Sequence, residues 1–329
     1  MTQIRFLSRD DVIRCLPMAE AIEGMKSAFA QLSAGEADMP LRARVSGNGE
    51  GVALLMPAHL KQSGAMGVKI VSVFPQNKTL NLPIIHAMVI LLNAENGQAI
   101  AIMDGGALTA IRTGAGSGAA TDVLARQDAK IVAIIGSGVQ ARTQLEAVCT
   151  VRDIEHVFVY SPTRANAERF AAEMAGIGKI PSTITVADSA DEAIATADII
   201  CTATTSTTPV FDGSKVKNGA HINGVGSYRP DMQEVDEATL LRSRIVVDSY
   251  DAAWEEAGEL IVALHNDTIS EAAIHGEIGE IINGAKVGRT HNEKLTFFKS
   301  VGVAVQDAAA AAIVLKNAEA QNIGTLLAL

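Results

Sequence analysis

At 329 residues with 48% hydrophobic side chains, the chain can bury a sizeable core, and its length lies where one core usually divides into two domains. Charged residues make up 19% and glycine and proline number 28 and 9, which excludes the disordered and collagen-like classes. Lysine and arginine number 27 against 37 aspartates and glutamates, and the net charge of -10 argues against duplex nucleic acid or an anionic membrane surface as partner.

Residues 8–32 begin with a capping residue, Ser8 or Asp10, and place Val12, Ile13, Leu16, Ala19, Ile22, Met25, Phe29 and Leu32 at helical spacing, which predicts two helices broken near Pro17. From about residue 42 to 102 the texture changes to short β-rich runs, 52–56, 67–74, 86–93 and 98–103, separated by Pro, Gly and Asn and predicting a meandering sheet. Asn96-Gly97 reads as a hairpin turn, since both residues tolerate positive φ. A helix rich in small residues over 108–124 leads into apolar strands alternating with helices: 131–135, 156–160, 183–186, 199–203, 221–225 and 245–249. Runs such as IVAII are apolar without alternation, as parallel strands covered on both faces are, so this half is read as an α/β doubly wound sheet. An Ala-rich helix over 302–321 closes the chain and is expected to pack back on another domain.

The most apolar stretch, 84–103, is interrupted by His86, Asn93, Glu95, Asn96 and Gly97, short of the roughly 18 apolar residues a spanning helix needs. The first residues lack a signal-peptide apolar core. Cys15, Cys149 and Cys201 are odd in number and widely spaced, suiting neither a disulfide framework nor a zinc quartet. The expectation is a soluble protein of the reducing cytoplasm. The histidines show no HExxH or similar ligand spacing, so no metal site is expected. His275-Gly-Glu277 is read as a helix-surface pair, His86 as a core histidine, and Glu255, Glu256 and Glu259 as a solvated helix face.

Residues 131–148, IVAIIGSGVQARTQLEAV, place Gly136-x-Gly138-x-x-Ala141 between a buried strand and an amphipathic helix. Gly136 permits the tight turn, Gly138 lets a pyrophosphate approach the backbone, and Ala141 allows close helix-to-strand packing. An acid binding the ribose of NAD is expected about 20 residues further on. Ser161, Thr163 and Arg164 stand there instead, hydroxyls and a guanidinium that suit a 2′-phosphate, so NADP(H) is favoured with NAD(H) the alternative. In the N-terminal half Arg42, Arg44, Lys69 and Arg112 lie in segments otherwise poor in charge. A cation such as Lys69 inside an apolar strand needs an anion to meet it. Together they make a plausible carboxylate-binding pocket; singly, each would read as a surface charge or an ion pair.

These segments carry a resemblance. Lys69-IVSVFPQN-Lys78, LPIIHAMVILLNAENGQAIAIMDG, LTAIRTGAGSGAAT, IIGSGVQARTQLEAV, NGVGSYRPDMQEVD, VVDSYDAAWEEAGEL and FFKSVGVAVQDAAAA, in that order along nearly the whole chain, resemble the ornithine cyclodeaminase/μ-crystallin family. The resemblance implies a substrate-binding and dimerisation domain over 1–118 with 303–329, a Rossmann domain over 119–302, and a homodimer. It also implies chemistry at the α-carbon of small amino acids. By that resemblance the substrate-carboxylate cations fall on Arg44 (or Arg42), Lys69 and Arg112, and the dinucleotide turn on Gly136, Gly138, Val139 and Gln140. Thr204, Thr205, Val225 and Gly226 fall by the nicotinamide. Two departures stand out: Ser227-Tyr228-Arg229 replaces an aspartate that handles the amine, and Leu54 replaces a glutamate that holds a distal amine. Both count against cyclising ornithine or lysine. The expected activity is therefore NAD(P)H-dependent reduction of small 2-imino acids, cyclic or linear, or the reverse amino-acid dehydrogenation, with Tyr228 at the variable catalytic position. A lyase that recycles its NAD (a cyclodeaminase or hydroxyproline dehydratase) and a non-catalytic NADPH-binding protein remain as alternatives.

Overall fold

A computed structural model describes residues 3–328, which form two compact units, one made of residues up to 112 with those from 303 on, the other of residues 113–302.

The first unit opens with β1 (Gln3–Leu7), α1 (Arg9–Cys15) and α2 (Met18–Ser33). Ser8 and Asp11 cap α1 reciprocally, and Pro17, which cannot continue a helix, is the N-cap of α2. Then come β2 (Ala37–Asp38), β3 (Ala43–Ser46), β4 (Val52–Leu60), β5 (Ala65–Val73), β6 (Ile85–Leu92) and β7 (Ala99–Asp104). α3 (Gly105–Leu124) follows, with the division between the units falling inside it. A C-terminal helix (Ala304–Ala320) and a C-terminal strand (Thr325–Ala328) return to this unit. The sheet runs C-terminal strand, β1, β7, β6, β5, β4, β2, with β3 also on β4. β4 runs through Pro57 to Leu60, past the end expected at Met56. On one side β2 and β3 pair only with residues on either side of Pro57, so the missing N–H falls in a gap of the ladder. The β6–β7 hairpin forms as expected, but only Gly97 has positive φ (74°), and its N–H reaches the Asn93 carbonyl; Asn96 does not need the left-handed region. The C-terminal helix covers β4, β5 and β6 and packs on α1 and α2, burying Ala308, Ala311 and Leu315 in the same unit as Met25, Phe29 and Met103.

In the second unit the order is β8 (Ile131–Ile135), α4 (Val139–Val151), β9 (His156–Tyr160), α5 (Arg164–Met174), β10 (Ile184–Val186), α6 (Ala190–Ile194), β11 (Ile199–Thr202) and β12 (His221–Gly224). It continues through α7 (Glu237–Arg242), β13 (Ser243–Val247), α8 (Tyr250–Glu256), α9 (Gly258–His265), β14 (Ile274–Glu277), α10 (Ile278–Ile282) and β15 (Leu295–Lys299). All pairings are parallel, in the order β10-β9-β8-β11-β12-β15-β13-β14, with the strand order reversing at β8/β11. This is the doubly wound Rossmann arrangement, whose ligand crevice lies outside the carboxyl ends of the strands at the switch point.

Several expectations are corrected. β14 and β15 are strands that the sequence reading did not assign, and His275 and Glu277 therefore stand on a strand, not a helix surface. β13 begins at Ser243, because Ser243 and Arg244 pair with β15, and it ends at Val247; the carboxylate of Asp248, whose own N–H still reaches the Lys299 carbonyl, accepts the N–H groups of Val301 and Gly302. His86 is exposed on β6 and is not a core histidine. Glu255 is exposed, but Glu259 is buried against Lys299 at 3.1 Å, so the expected solvated acidic face does not form.

Candidate active site

In the second unit β8 passes at once into the glycine turn. Gly136 has φ of 112°, and a Cβ there would lie 2.5 Å from the Ala203 carbonyl oxygen, so turn and β11 end can touch only without a side chain. Gly138 is the N-cap of α4 and gives it no side-chain cap, while a Cβ on it would meet nothing within 4 Å. Arg142 braces the turn by donating to the carbonyls of Ser137 and Gly138 at 2.7 and 2.9 Å. Beside it Val139 is exposed, and the Gln140 Oε1 is buried without a hydrogen-bond partner. Uncapped N–H groups at an open helix start, with a guanidinium behind them, fit the pyrophosphate of a dinucleotide.

Along the same edge β9 runs into a half-buried Ser161 and an exposed Thr163 and Arg164. Thr163 is the N-cap of α5 but makes no side-chain cap bond. Arg164 already has partners: its Nε donates to Glu168 at 3.0 Å and its Nη1 to Asp188 at 2.5 Å. Asp188 follows β10, next to the end of β9, where Ala187 N–H bonds the Val159 carbonyl.

Thr204 and Val225 lie just beyond β11 and β12, with Thr205 and Gly226 following them. The buried carboxylate of Glu234 ties these two loops together. Its Oε1 accepts the Thr204 N–H at 2.6 Å and hydroxyl at 2.8 Å, and its Oε2 accepts the Gly226 N–H at 2.6 Å and the Thr202 hydroxyl at 2.9 Å. Burial pushes its carboxyl above the usual range, against the pull of Lys299. A Cβ on Gly226 would meet the Thr204 carbonyl at 2.2 Å, so only glycine allows the clip. Beneath it, Lys299 donates to the Ser227 carbonyl at 2.5 Å, and the Ser227 hydroxyl bonds Glu259. Tyr228 is 39% exposed, and Arg229 pairs with Asp231 at 2.9 Å on the surface.

The first unit gathers the cations. In the sheet register Lys69 lies between Met56 and Val89, and Val89 faces Met103. Arg44 faces Leu54, which faces Val71, two residues from Lys69 and therefore on the same side of the sheet. Lys69 is 3% exposed and Arg112, on α3, 5%. Both reach Asp307 of the C-terminal helix, 1% exposed: Lys69 Nζ lies 2.6 Å from Oδ2, and Arg112 Nε donates to Oδ1 at 3.0 Å. Gln306 accepts from Arg112 Nη1 at 3.0 Å. Burial lowers the Lys69 pKa to about 8; Asp307 opposes that, while Arg112 and Arg42 add to it. Arg42 is half-buried and acts on Lys69; Arg44 is exposed on β3. The expected anion for Lys69 is thus a side chain from far along the chain.

Asp307, Gln306, Glu234 and Lys299 are absent from the sequence-derived set. Asp307 carried a signal, since an acid inside an Ala-rich apolar helix needs a partner as much as Lys69 does.

A doubly wound parallel sheet with an uncapped glycine turn defines a dinucleotide-binding protein of the Rossmann class. Residues 3–322 match the Ornithine cyclodeaminase/mu-crystallin family, and the chain belongs to it. It is 40% identical over 320 residues to a Delta(1)-pyrroline-2-carboxylate reductase of Bacillus cereus, covering 97% of this chain and 98% of that protein. The structure of Thermococcus litoralis Delta(1)-pyrroline-2-carboxylate reductase in complex with NADH and L-proline superposes with a TM-score of 0.93 at 42% identity, covering 98% of this chain and 99% of the other. An archaeal alanine dehydrogenase dimer with bound NAD gives 0.93 at 35% identity, covering 100% of each chain.

Proposed function

We propose that the protein is a nicotinamide-dependent reductase of small 2-imino acids, an oxidoreductase acting on the C=N bond to give the amino acid or running in reverse as an amino-acid dehydrogenase. The observation that carries this reading is the buried group of Lys69 and Arg112 around the single carboxylate of Asp307, which leaves one positive charge on an apolar sheet face. A substrate monocarboxylate neutralises it. The relatives act on, or are bound to, compounds of this kind.

When bound, the nucleotide supplies a hydride to the imine carbon. The residues that would hold it are Gly136, Gly138, Val139 and Gln140 at the pyrophosphate, Thr204, Thr205, Val225 and Gly226 at the nicotinamide end, and Ser161, Thr163 and Arg164 at the adenosine ribose. Lys69 and Arg112, with Arg42 and Arg44 beside them, anchor the carboxylate and fix the imine carbon for attack. Tyr228 stands exposed in the loop after β12. Leu54 sits between Arg44 and Val71 in the sheet register, leaving no carboxylate there for a distal amine and disfavouring the lyase reading.

The engagement of Arg164 by Glu168 and Asp188 shifts the expected cofactor preference. We read Asp188 as the acid that β9 lacks, and NADH as the preferred nucleotide. Leu80, Leu82, Ile84, Ile85 and Met88 leave an exposed apolar stretch on the first unit, which we assign to a homodimer contact. No described helix is long and apolar enough to cross a membrane, and three free buried thiols suit a reducing cytoplasm.

The test is NADH and NADPH oxidation with pyrroline-2-carboxylate, piperideine-2-carboxylate, iminosuccinate, and pyruvate with ammonia or methylamine. Stoichiometric oxidation with one of them supports the reading. Redox-neutral release of ammonia from ornithine would establish the lyase, and binding without turnover of any of them a nucleotide-binding protein.

A further inference from the structure

Asp307 holds neither nucleotide nor substrate in this reading, yet it touches both cations of the carboxylate clamp. Among the described residues it is the one carboxylate paired with either of them, at 2.6 Å from Lys69 Nζ and 3.0 Å from Arg112 Nε. Gln306 fixes the guanidinium from the other side, accepting from Arg112 Nη1 and from the Val303 N–H, each at 3.0 Å, at the start of the C-terminal helix. Arg112 is thus held twice, whereas among the described residues Lys69 is ion-paired with Asp307 alone. The charged groups acting on Lys69 from the elements around it are Asp307 on the C-terminal helix, Arg112 on α3 and Arg42 before β3, while β4 and β6 present Met56 and Val89 at its level.

We propose that Asp307 is a positioning residue that keeps Lys69 protonated and aimed along the sheet face, so that its ammonium is both an anchor for the substrate carboxylate and the proton source for the imine nitrogen. This rests on the imine-reductase reading. In the step, the C=N π bond opens, carbon takes the hydride supplied by the reduced nucleotide, and nitrogen takes a proton from Nζ. Lys69 is left as the neutral amine and regains its proton from solvent. Without Asp307 the ammonium would face only two guanidinium groups and apolar side chains, and would shed its proton at neutral pH. Its burial already brings its titration to about 8, close to the range where a proton donor works well.

The experiment is the pH dependence of kcat/KM for pyrroline-2-carboxylate reduction in the wild type, Asp307→Asn, Asp307→Glu, Lys69→Met and the Lys69→Met/Asp307→Asn pair, with NADH affinity measured alongside. The wild-type rate is expected to fall above about pH 8, and the limb in Asp307→Asn to begin at least about one unit lower, making its loss at pH 8 about fivefold or more greater than at pH 6. Asp307→Glu keeps the limb near its original place at a reduced rate. Adding Asp307→Asn to Lys69→Met costs less than about twofold, because the carboxylate acts through the lysine. A loss in Asp307→Asn that is the same factor at every pH, or losses that multiply in the double variant, would overturn the proposal. Should Asp307→Asn fail to fold, Asp307→Glu and the double variant decide it. If the wild type reduces no imine, the functional reading fails, and the affinity for pyrrole-2-carboxylate by calorimetry replaces the rate. An alkaline limb that drops in Asp307→Asn sustains the role of Asp307, and an unmoved one ends it.

Discussion

Arg164, the first residue of α5, reaches past its own strand to Asp188 beyond β10, with Nη1 2.5 Å from the carboxylate. The two side chains are well exposed, so the pair itself adds little stability. It places a negative charge beside the guanidinium proposed for the adenosine ribose site. Asp188→Asn should therefore raise NADPH affinity relative to NADH by about three- to tenfold, the size of one charge-assisted bond regained. Arg164→Ala should weaken NADPH binding and leave NADH nearly unchanged. Fluorescence titration of both nucleotides checks this, and equal changes for both would remove Arg164 from the ribose site.

For Lys69→Ala, kcat/KM should fall by about two orders of magnitude or more, since carboxylate anchoring and proton supply vanish together. NADH affinity should hold, because Gly136 and Gly138 belong to the other unit. Arg112 still meets Asp307, so the fold keeps a partner for the buried acid. Lys69→Arg should restore little, a planar fork being a poor substitute for a compact ammonium. Near-normal turnover in Lys69→Ala would mean that the lysine is structural.

The nucleotide half was legible because its information is local. β8 and β9 match their apolar runs residue for residue, and the glycines of the turn follow from what a strand-to-helix corner demands. β15 was missed because LTFFK is a short run ending in a lysine, and what makes Lys299 tolerable in a buried strand is Glu259 on α9. Lys69 drew attention by its apolar neighbours, yet the residue meeting it lies at the opposite end of the chain, on a helix whose Ala-rich faces show little polar contrast. Pairings of that range cannot be read from periodicity. The Arg164 expectation rested on β9 alone, and Asp188 comes from the neighbouring strand.

Glu234 offers a separate check on the proposed nicotinamide end. Glu234→Ala strands the Thr204 and Gly226 N–H groups, each costing about 1–3 kcal/mol if buried without a partner. Glu234→Gln keeps the shape and one acceptor, so it should retain more of the stability. In Glu234→Ala, NADH affinity should drop by about tenfold or more as the loops after β11 and β12 separate, with a lower Tm. Unchanged affinity in a folded Glu234→Ala protein would show that the clip serves the fold alone.

His221 sets an acid limit on the second unit. It is fully buried on β12, with Nδ1 2.9 Å from the Thr296 hydroxyl and Nε2 3.2 Å from Asn223 Oδ1. Burial lowers its pKa to about 3 from 6.5, and the nearby Arg289 and Arg152 also disfavour a charged ring. Below pH 6.5 the unfolded chain therefore takes up a proton that the folded one refuses. The stabilisation is complete above 6.5, is lost progressively as pH falls towards 3, and amounts to a few kcal/mol, ~1.4 for each unit crossed. Glu234 and Asp248, whose pKa values burial raises, act in the opposite sense as pH rises, so the wild-type curve is a sum. Subtraction isolates the histidine. Urea unfolding of wild type and His221→Gln from pH 8 to 4 should show a stability difference that is constant above about 6.5 and narrows below it, the variant being weaker at neutral pH for its imperfect bonds to Thr296 and Asn223. A difference that stays constant down to pH 4 would mean that the imidazole becomes charged inside the fold.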